Sequence, residues 1–225
     1  MKILSPVLLC IIAGMTLASA AHAGIVIGGT RVIYDATAKD ASISVNNPDA
    51  IPYLVQTWID NNSGNTQTAP FIVTPPLYRL NGGQQSTMRI VYSGATLPDN
   101  QESLFFINIK AIPSTTKKDN VLQVAVKSRM KLIYRPASLR NSEPEKFAEK
   151  LSWSVSSGKL NVTNPTPYYM NFGEVSVNKV KVNSATWVAP NSSASFPVPG
   201  TLSAGRVEFK LINDYGGLTE LFHSN

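Results

Sequence analysis

Few residues in this 225-residue chain could do covalent or metal chemistry. It holds one cysteine, Cys10, and two histidines, His22 and His223. A Cys/His zinc centre takes about four such ligands, so that metal site is excluded, and a disulfide framework is excluded with it. His223 lies at the chain end, a poor place to hold the base of a Ser-His-Asp triad rigid. Gly28-Gly29 and Gly82-Gly83 are isolated turn glycines without a phosphate-binding or dinucleotide fingerprint. The carboxylates are scattered and form no motif that would identify an acid/base pair. The expectation is a protein that is not an enzyme and uses no metal and no cofactor.

One stretch does carry a pattern. Residues 121–134 alternate, with Leu122, Val124, Val126, Ser128 and Met130 on one side and Gln123, Ala125, Lys127, Arg129 and Lys131 on the other. A strand of about five or six residues is usual, so this one is long. Two readings stand at this point. Leu122, Val124 and Val126 face the core of their own domain, or the strand is left at a sheet edge and offered to a partner. In the second case main-chain hydrogen bonds supply affinity and alternate side chains fill pockets.

The elements around it read as β throughout. Short period-two runs recur between turn residues: Ile43–Val45, Tyr53–Ile59, Phe71–Val73, Met88–Tyr92 and Leu104–Ile109, then Leu151–Val155, Leu160–Val162, Glu174–Val182 and Arg206–Leu211. Between the two groups, Arg135–Glu145 is polar, contains two prolines and reads as an interdomain connection. Each half has about the length of an immunoglobulin-like sandwich, ~100 residues. Hydrophobic residues make up 43% and charged residues 15% of the chain, too apolar a balance for a disordered protein. The net charge of +6 is not gathered into a stripe with stacking aromatics, so nucleic acid is not an expected partner. Met1-Lys2, the apolar run Ile3–Leu17 and the Ala21-His22-Ala23 tripeptide read as an export signal ending at residue 23 rather than an uncleaved anchor. No later stretch could insert in a membrane as a helix. Removing 1–23 leaves no cysteine, in a compartment where disulfides form.

An ordered set of motifs resembles the PapD-like periplasmic pilus (fimbrial) chaperones of the chaperone–usher pathway. They are Gly29–Tyr34, Pro52–Trp58, Thr74–Leu80, Glu102–Asn108, Asn120–Val126, Lys131–Pro136 and Ile212–Gly217. The resemblance implies an all-β fold of two immunoglobulin-like β-sandwich domains in a boomerang arrangement. The expected divisions are 1–23 (signal peptide), 24–140 and 141–225. It implies a periplasmic protein that binds and folds pilus subunits by donor-strand complementation and delivers them to an outer-membrane usher.

The resemblance also implies roles for single residues. Arg31 and Lys131 would bind the subunit's C-terminal carboxylate, since an Arg fork and a Lys charge suit a fixed terminal anion. Leu122, Val124 and Val126 would enter the groove of a subunit that lacks its last strand. Ile25 and Ile27 would lie beside the same edge. Glu102, Arg135 and Asp214 would form an ion-pair cluster between the domains. Pro75-Pro76 would mark a rigid turn, open to a cis bond, that the family links to usher docking. The short segment Ala111–Asn120 and the missing cysteine pair match the short-loop type. A free chain that pairs with itself to hide its edge would be physically reasonable. The competing reading from another class is a secreted two-domain β-sandwich adhesin or pilus subunit.

Overall fold

A computed structural model describes residues 24–61, 69–114, 122–200 and 205–224. Residues 1–23, read above as an export signal, Val121 and most of the loop between Pro113 and Leu122 lie outside the described residues. The strands of the N-terminal half are β1 (Val26–Ile27), β2 (Arg31–Asp35), β3 (Ala41–Asn46), β4 (Tyr53–Asn61), β5 (Phe71–Thr74), β6 (Leu77–Leu80), β7 (Gln85–Tyr92), β8 (Ser103–Pro113) and β9 (Val126–Arg135). They form two sheets, ordered β1-β3-β7-β5 and β2-β9-β8-β4-β6. The C-terminal half has β10 (Ser152–Ser156), β11 (Lys159–Asn164), β12 (Met170–Val177), β13 (Val180–Lys181), β14 (Trp187–Val188), β15 (Ser192–Pro197), β16 (Val207–Leu211) and β17 (Phe222–His223). Its sheets are β10-β11-β15 and β13-β12-β16-β17, with β14 on β12. The all-β, two-sandwich expectation holds. The segment read as a connection carries a 3-10 turn at Ala137–Leu139, and a longer 3-10 stretch, Pro144–Lys150, begins at its end.

The period-two pattern produces these layers. In β4, Tyr53, Val55 and Thr57 point inward while Leu54 and Gln56 face out; in β7, Met88 and Ile90 are fully buried. Val45, Val55, Met88, Ile90, Ile107 and Leu132 centre the first core, and Leu160, Val162, Met170, Val177 and Phe209 the second. β8 departs from alternation, being buried from Leu104 to Ile109. Phe105, Ile107 and Ile109 serve the first core. Leu104 and Phe106 pack instead with Ile33, Ile133, Tyr169 and Trp187, which joins the two halves.

Two expected strands differ from the structure. Glu174–Val182 is a hairpin, not one strand: Asn178 and Lys179 are both left-handed, with φ of 49° and 69°, and turn the chain between β12 and β13. The run 121–134 is regular strand only from Val126 to Arg135. Its ladder with β8 stops at Ala111 opposite Val126, and β8 itself ends at Pro113, which has no N–H to donate. Residues 122–125 therefore lie outside any ladder, held in part by Gln123 Nε2 donating to Pro113 O at 2.6 Å. The Thr74–Pro75 bond is cis.

The two readings of β9's apolar row are now separable. Leu132 is buried and Met130 packs partly buried against the first core. Farther out the row leaves the sandwich: Val126 is 57%, Val124 61% and Leu122 87% exposed. Those three residues do not serve their own core. Leu132→Ala should therefore cost about 2–5 kcal/mol, while Leu122→Ala should stay within about 0.5 kcal/mol of the parent, as measured by chemical denaturation.

Candidate subunit-binding edge and interdomain cleft

β2 pairs with β9 in parallel, from Arg31 opposite Lys131 to Asp35 opposite Arg135. On its other side β9 pairs with β8 along its whole length, Val126 to Tyr134. The stretch 126–130 thus has β8 on one flank and no strand on the other among the described residues. The open slot ends where β2 begins, so Arg31 and Lys131 stand side by side at its closed end. Val26 and Ile27 of β1 pair with Asn46 and Val45 in the opposite sheet; Ile25 and Ile27 are partly buried against the first core.

Neither cation at the closed end meets a carboxylate directly. Arg31 Nη1 donates to Ile212 O at 3.1 Å, and its buried Nε has no hydrogen-bond partner. Burial pulls the Arg31 guanidinium below its ordinary pKa, against the pull of Asp214. The Lys131 ammonium donates to Asn171 Oδ1 and sits 5.7 Å from the centre of the Trp187 ring. Burial first, and repulsion from Arg31 second, bring Lys131 down to about 8. Two cations are held close and partly dehydrated with no carboxylate in contact with either, an arrangement that suits an anion.

The loop that supplies Ile212 O is folded tightly. Asn213 Oδ1 accepts from the Tyr215 and Gly217 N–H groups at 3.1 and 2.9 Å. Gly216 has φ of 86°, and any Cβ there would run into Thr30 Oγ1, so only glycine lets the loop approach Arg31's strand this closely.

A third cation in the same cleft has the opposite environment. Arg135 Nε donates to Glu102 Oε1 at 2.8 Å. Its Nη1 and Nη2 form a fork on Asp214, at 2.6 and 2.9 Å. Glu102 Oε2 accepts from the Tyr169 N–H at 2.7 Å, and the Glu102 N–H donates to Pro167 O at 2.9 Å. The guanidinium lies 5.6 Å from the Tyr168 ring centre. The Glu102 side chain is wholly buried, and its burial outweighs Arg135 and the Tyr169 N–H and pushes the carboxyl up to about 7. Against its burial, the hydrogen bonds that Arg135 donates to two carboxylates, and their negative charge, drive the Arg135 pKa up. Glu102 and Arg135 come from the first half, Asp214 and Tyr169 from the second, so the cluster ties the halves together.

The structure brings together Arg31 with Lys131, and Glu102 with Arg135 and Asp214. Leu122, Val124 and Val126 lie apart from both groups, along the open edge. Asn171, Tyr169 and Trp187 were not legible from sequence. Their only signal is aromatic density in Tyr168-Tyr169 and a tryptophan among small polar residues. Their meeting with Lys131 and Phe106 depends on how the halves pack.

Residues 24–140 match the family described as pili and flagellar-assembly chaperone, PapD N-terminal domain, and residues 146–223 match pili assembly chaperone PapD, C-terminal domain. The chain belongs to the PapD-like pilus-assembly chaperone family. Among its members, the chaperone protein FocC of Escherichia coli is 39% identical over 204 residues, covering 88% of each chain. A structure of the Salmonella enterica SafA pilin in complex with the SafB chaperone superposes with a TM-score of 0.83 at 36% identity, covering 91% of this chain and 97% of that one. The periplasmic chaperone SfaE superposes at 0.77 and 36% identity, over 89% and 99%. Like these pilus chaperones, the chain belongs to a family that is not enzymatic.

The two kinds of ion pair should respond differently to mutation. Glu102→Ala leaves a buried guanidinium with a free Nε–H and an unsatisfied Tyr169 N–H, and should cost about 3–5 kcal/mol in thermal or chemical unfolding. Lys146→Ala, which removes only a surface contact with Glu143, should leave the melting temperature unchanged.

Proposed function

We propose that this pilus-assembly chaperone captures an unfinished pilus subunit by donor-strand complementation, the strand at the subunit's C-terminus pairing with β9 in the open slot. The carrying observation is the one-sided pairing of 126–130, closed at one end by Arg31 and Lys131. The subunit's terminal carboxylate is held by these two cations, which fixes where its chain must stop. A strand that ends against the first residue of β2 lies in line with β2, and so runs parallel to β9. Leu122, Val124 and Val126 then enter the groove left by the missing strand. Their burial contributes on the order of 1.5–3 kcal/mol each, and the backbone ladder adds direction.

In this reading Glu102, Arg135 and Asp214 set the angle between domains 24–140 and 141–225, and with it the position of Trp187 and Asn171 over Lys131. The SafB chaperone's complex with the SafA pilin supports a pilin as the class of partner. SfaE's description as periplasmic supports export of this chain to the periplasm, with 1–23 removed as a signal peptide. Delivery to an outer-membrane usher, with Pro75-Pro76 in the docking surface, follows from the family resemblance. So does assignment to the short-loop type; a self-capping dimer of the free chain through the same edge is a physically reasonable way to hide it.

The experiment is periplasmic co-expression with candidate pilus subunits and mass measurement of what co-purifies. Arg31→Ala with Lys131→Ala should abolish the complex while the chaperone stays folded; a retained complex overturns the anchor. A second readout is pH. The anchor needs Lys131 charged, and Lys131 in the free protein loses its proton near 8. A bound carboxylate raises that value. Affinity should be level below about pH 7 and fall as pH rises through 8, by up to about tenfold per unit. Folding stability has the other sign. The folded pKa lies below the ordinary lysine value of 10.5, so the unfolded chain binds more protons between about 8 and 10.5. This group's contribution to stability therefore rises across that window. Binding that does not weaken above pH 8 removes Lys131 from the site.

A further inference from the structure

The face of β9 turned away from the apolar row has a charge pattern that the capture reading leaves unused. The pairing register puts Gln56, Lys110 and Lys127 in one row across β4, β8 and β9. Trp58, Asn108 and Arg129 form the next row, and Asp60, Phe106 and Lys131 the third, with Arg31 beside Lys131. Directly opposed residues on neighbouring strands share a face, so these side chains line a single surface.

That surface is cationic. Three successive outward residues of β9 each lie over an aromatic ring: Lys127 over Trp58 at 5.9 Å, Arg129 over Phe106 at 3.7 Å and Lys131 over Trp187. Arg129 is also neutralised by Asp60, at 2.9 Å. Asp60 is the only carboxylate in these rows, and its second oxygen accepts from Asn108 Nδ2 at 2.8 Å. Lys110 and Lys127 are left facing one another across the ladder, with no carboxylate on either among the described residues. Like charges placed directly opposite destabilise a sheet, and an anion arriving beside them relieves that repulsion.

We infer that Lys127 and Lys110 select the pilus subunit whose C-terminal strand carries acidic side chains on the face opposite its groove-facing residues. The inference rests on the strand-addition reading and sharpens it. A strand added beside β9 lies about 4.8 Å away, so its side chains on this face stand next to Lys127 and Arg129. Arg129 is already occupied by Asp60, which leaves the Lys110–Lys127 pair to discriminate. Acidic side chains gain there, and basic ones meet Lys127 directly, with Lys110 one strand farther back adding to the repulsion.

The test uses three peptides of equal length, each ending in a free carboxylate, with valine alternating with Asp, Asn or Lys. Binding to the full mature chain is followed by fluorescence anisotropy at low and high salt. The expected order is Asp, then Asn, then Lys, with a spread of at least about tenfold at low salt that narrows as salt screens the face. Lys110→Glu with Lys127→Glu should reverse the order. Lys179→Glu with Lys181→Glu, the same charge change on the C-terminal half, should leave it as it is. Equal affinity for the Asp and Lys peptides overturns the inference, as does an order unchanged by the first double variant or reversed by the second. Binding of all three with no charge preference leaves strand addition standing. Binding of none contradicts strand addition itself and takes the inference with it.

Discussion

The molecule is organised around a strand that is covered on one side for part of its length and then stopped. β9 is the second strand of its sheet where β2 runs beside it and the edge strand where β2 does not. An exposed edge carrying apolar side chains is normally blunted, because it invites pairing with any other strand. Here the invitation has a defined end: β2 begins at Arg31, directly beside Lys131. In the reading we propose, backbone groups along the slot give general affinity, and the pair of cations at its end selects a chain terminus over a chain middle.

Two arginines and a lysine in one cleft show how environment divides labour among like charges. Arg135 is saturated by Glu102 and Asp214, with a tyrosine ring nearby, and contributes structure. Lys131 has an amide oxygen and a tryptophan face, Arg31 a carbonyl. Each is dehydrated enough for its charged form to be disfavoured. The saturated cluster joins both halves and so keeps Asn171 and Trp187 over Lys131. In the proposed reading the unsaturated pair takes the anion, and the saturated one holds the cleft in which it sits.

Much of this was legible in the sequence where side-chain alternation is strong. β3, β4, β5, β7, β8 and β16 fall on runs of alternating or continuous apolar residues, and all lie against a core. β6 and β15 do not stand out: Leu77–Leu80 buries only Leu80, and Ser192–Pro197 buries only Phe196. Edge strands with one inward residue leave little period to read. The overlong strand at 121–134 shows the converse limit. Its alternation continues past the point where β8 can pair with it, and pattern cannot report the loss of a neighbour. Arg31, Lys131, Glu102, Arg135 and Asp214 came from ordered motifs, whereas Asn171 and Trp187 needed the packing of two domains to become visible.

The most direct test of the central claim is amide hydrogen exchange across β9, in the free chain and in its complex with a pilus subunit. The account predicts that outward-facing N–H groups between Val126 and Met130 exchange fast in the free chain and become protected in the complex. Those from Leu132 to Tyr134, already flanked by β2 and β8, should change little. Protection of the open-side N–H groups at 126–130 in the free monomer, or no gain of protection at them on subunit binding, would contradict it.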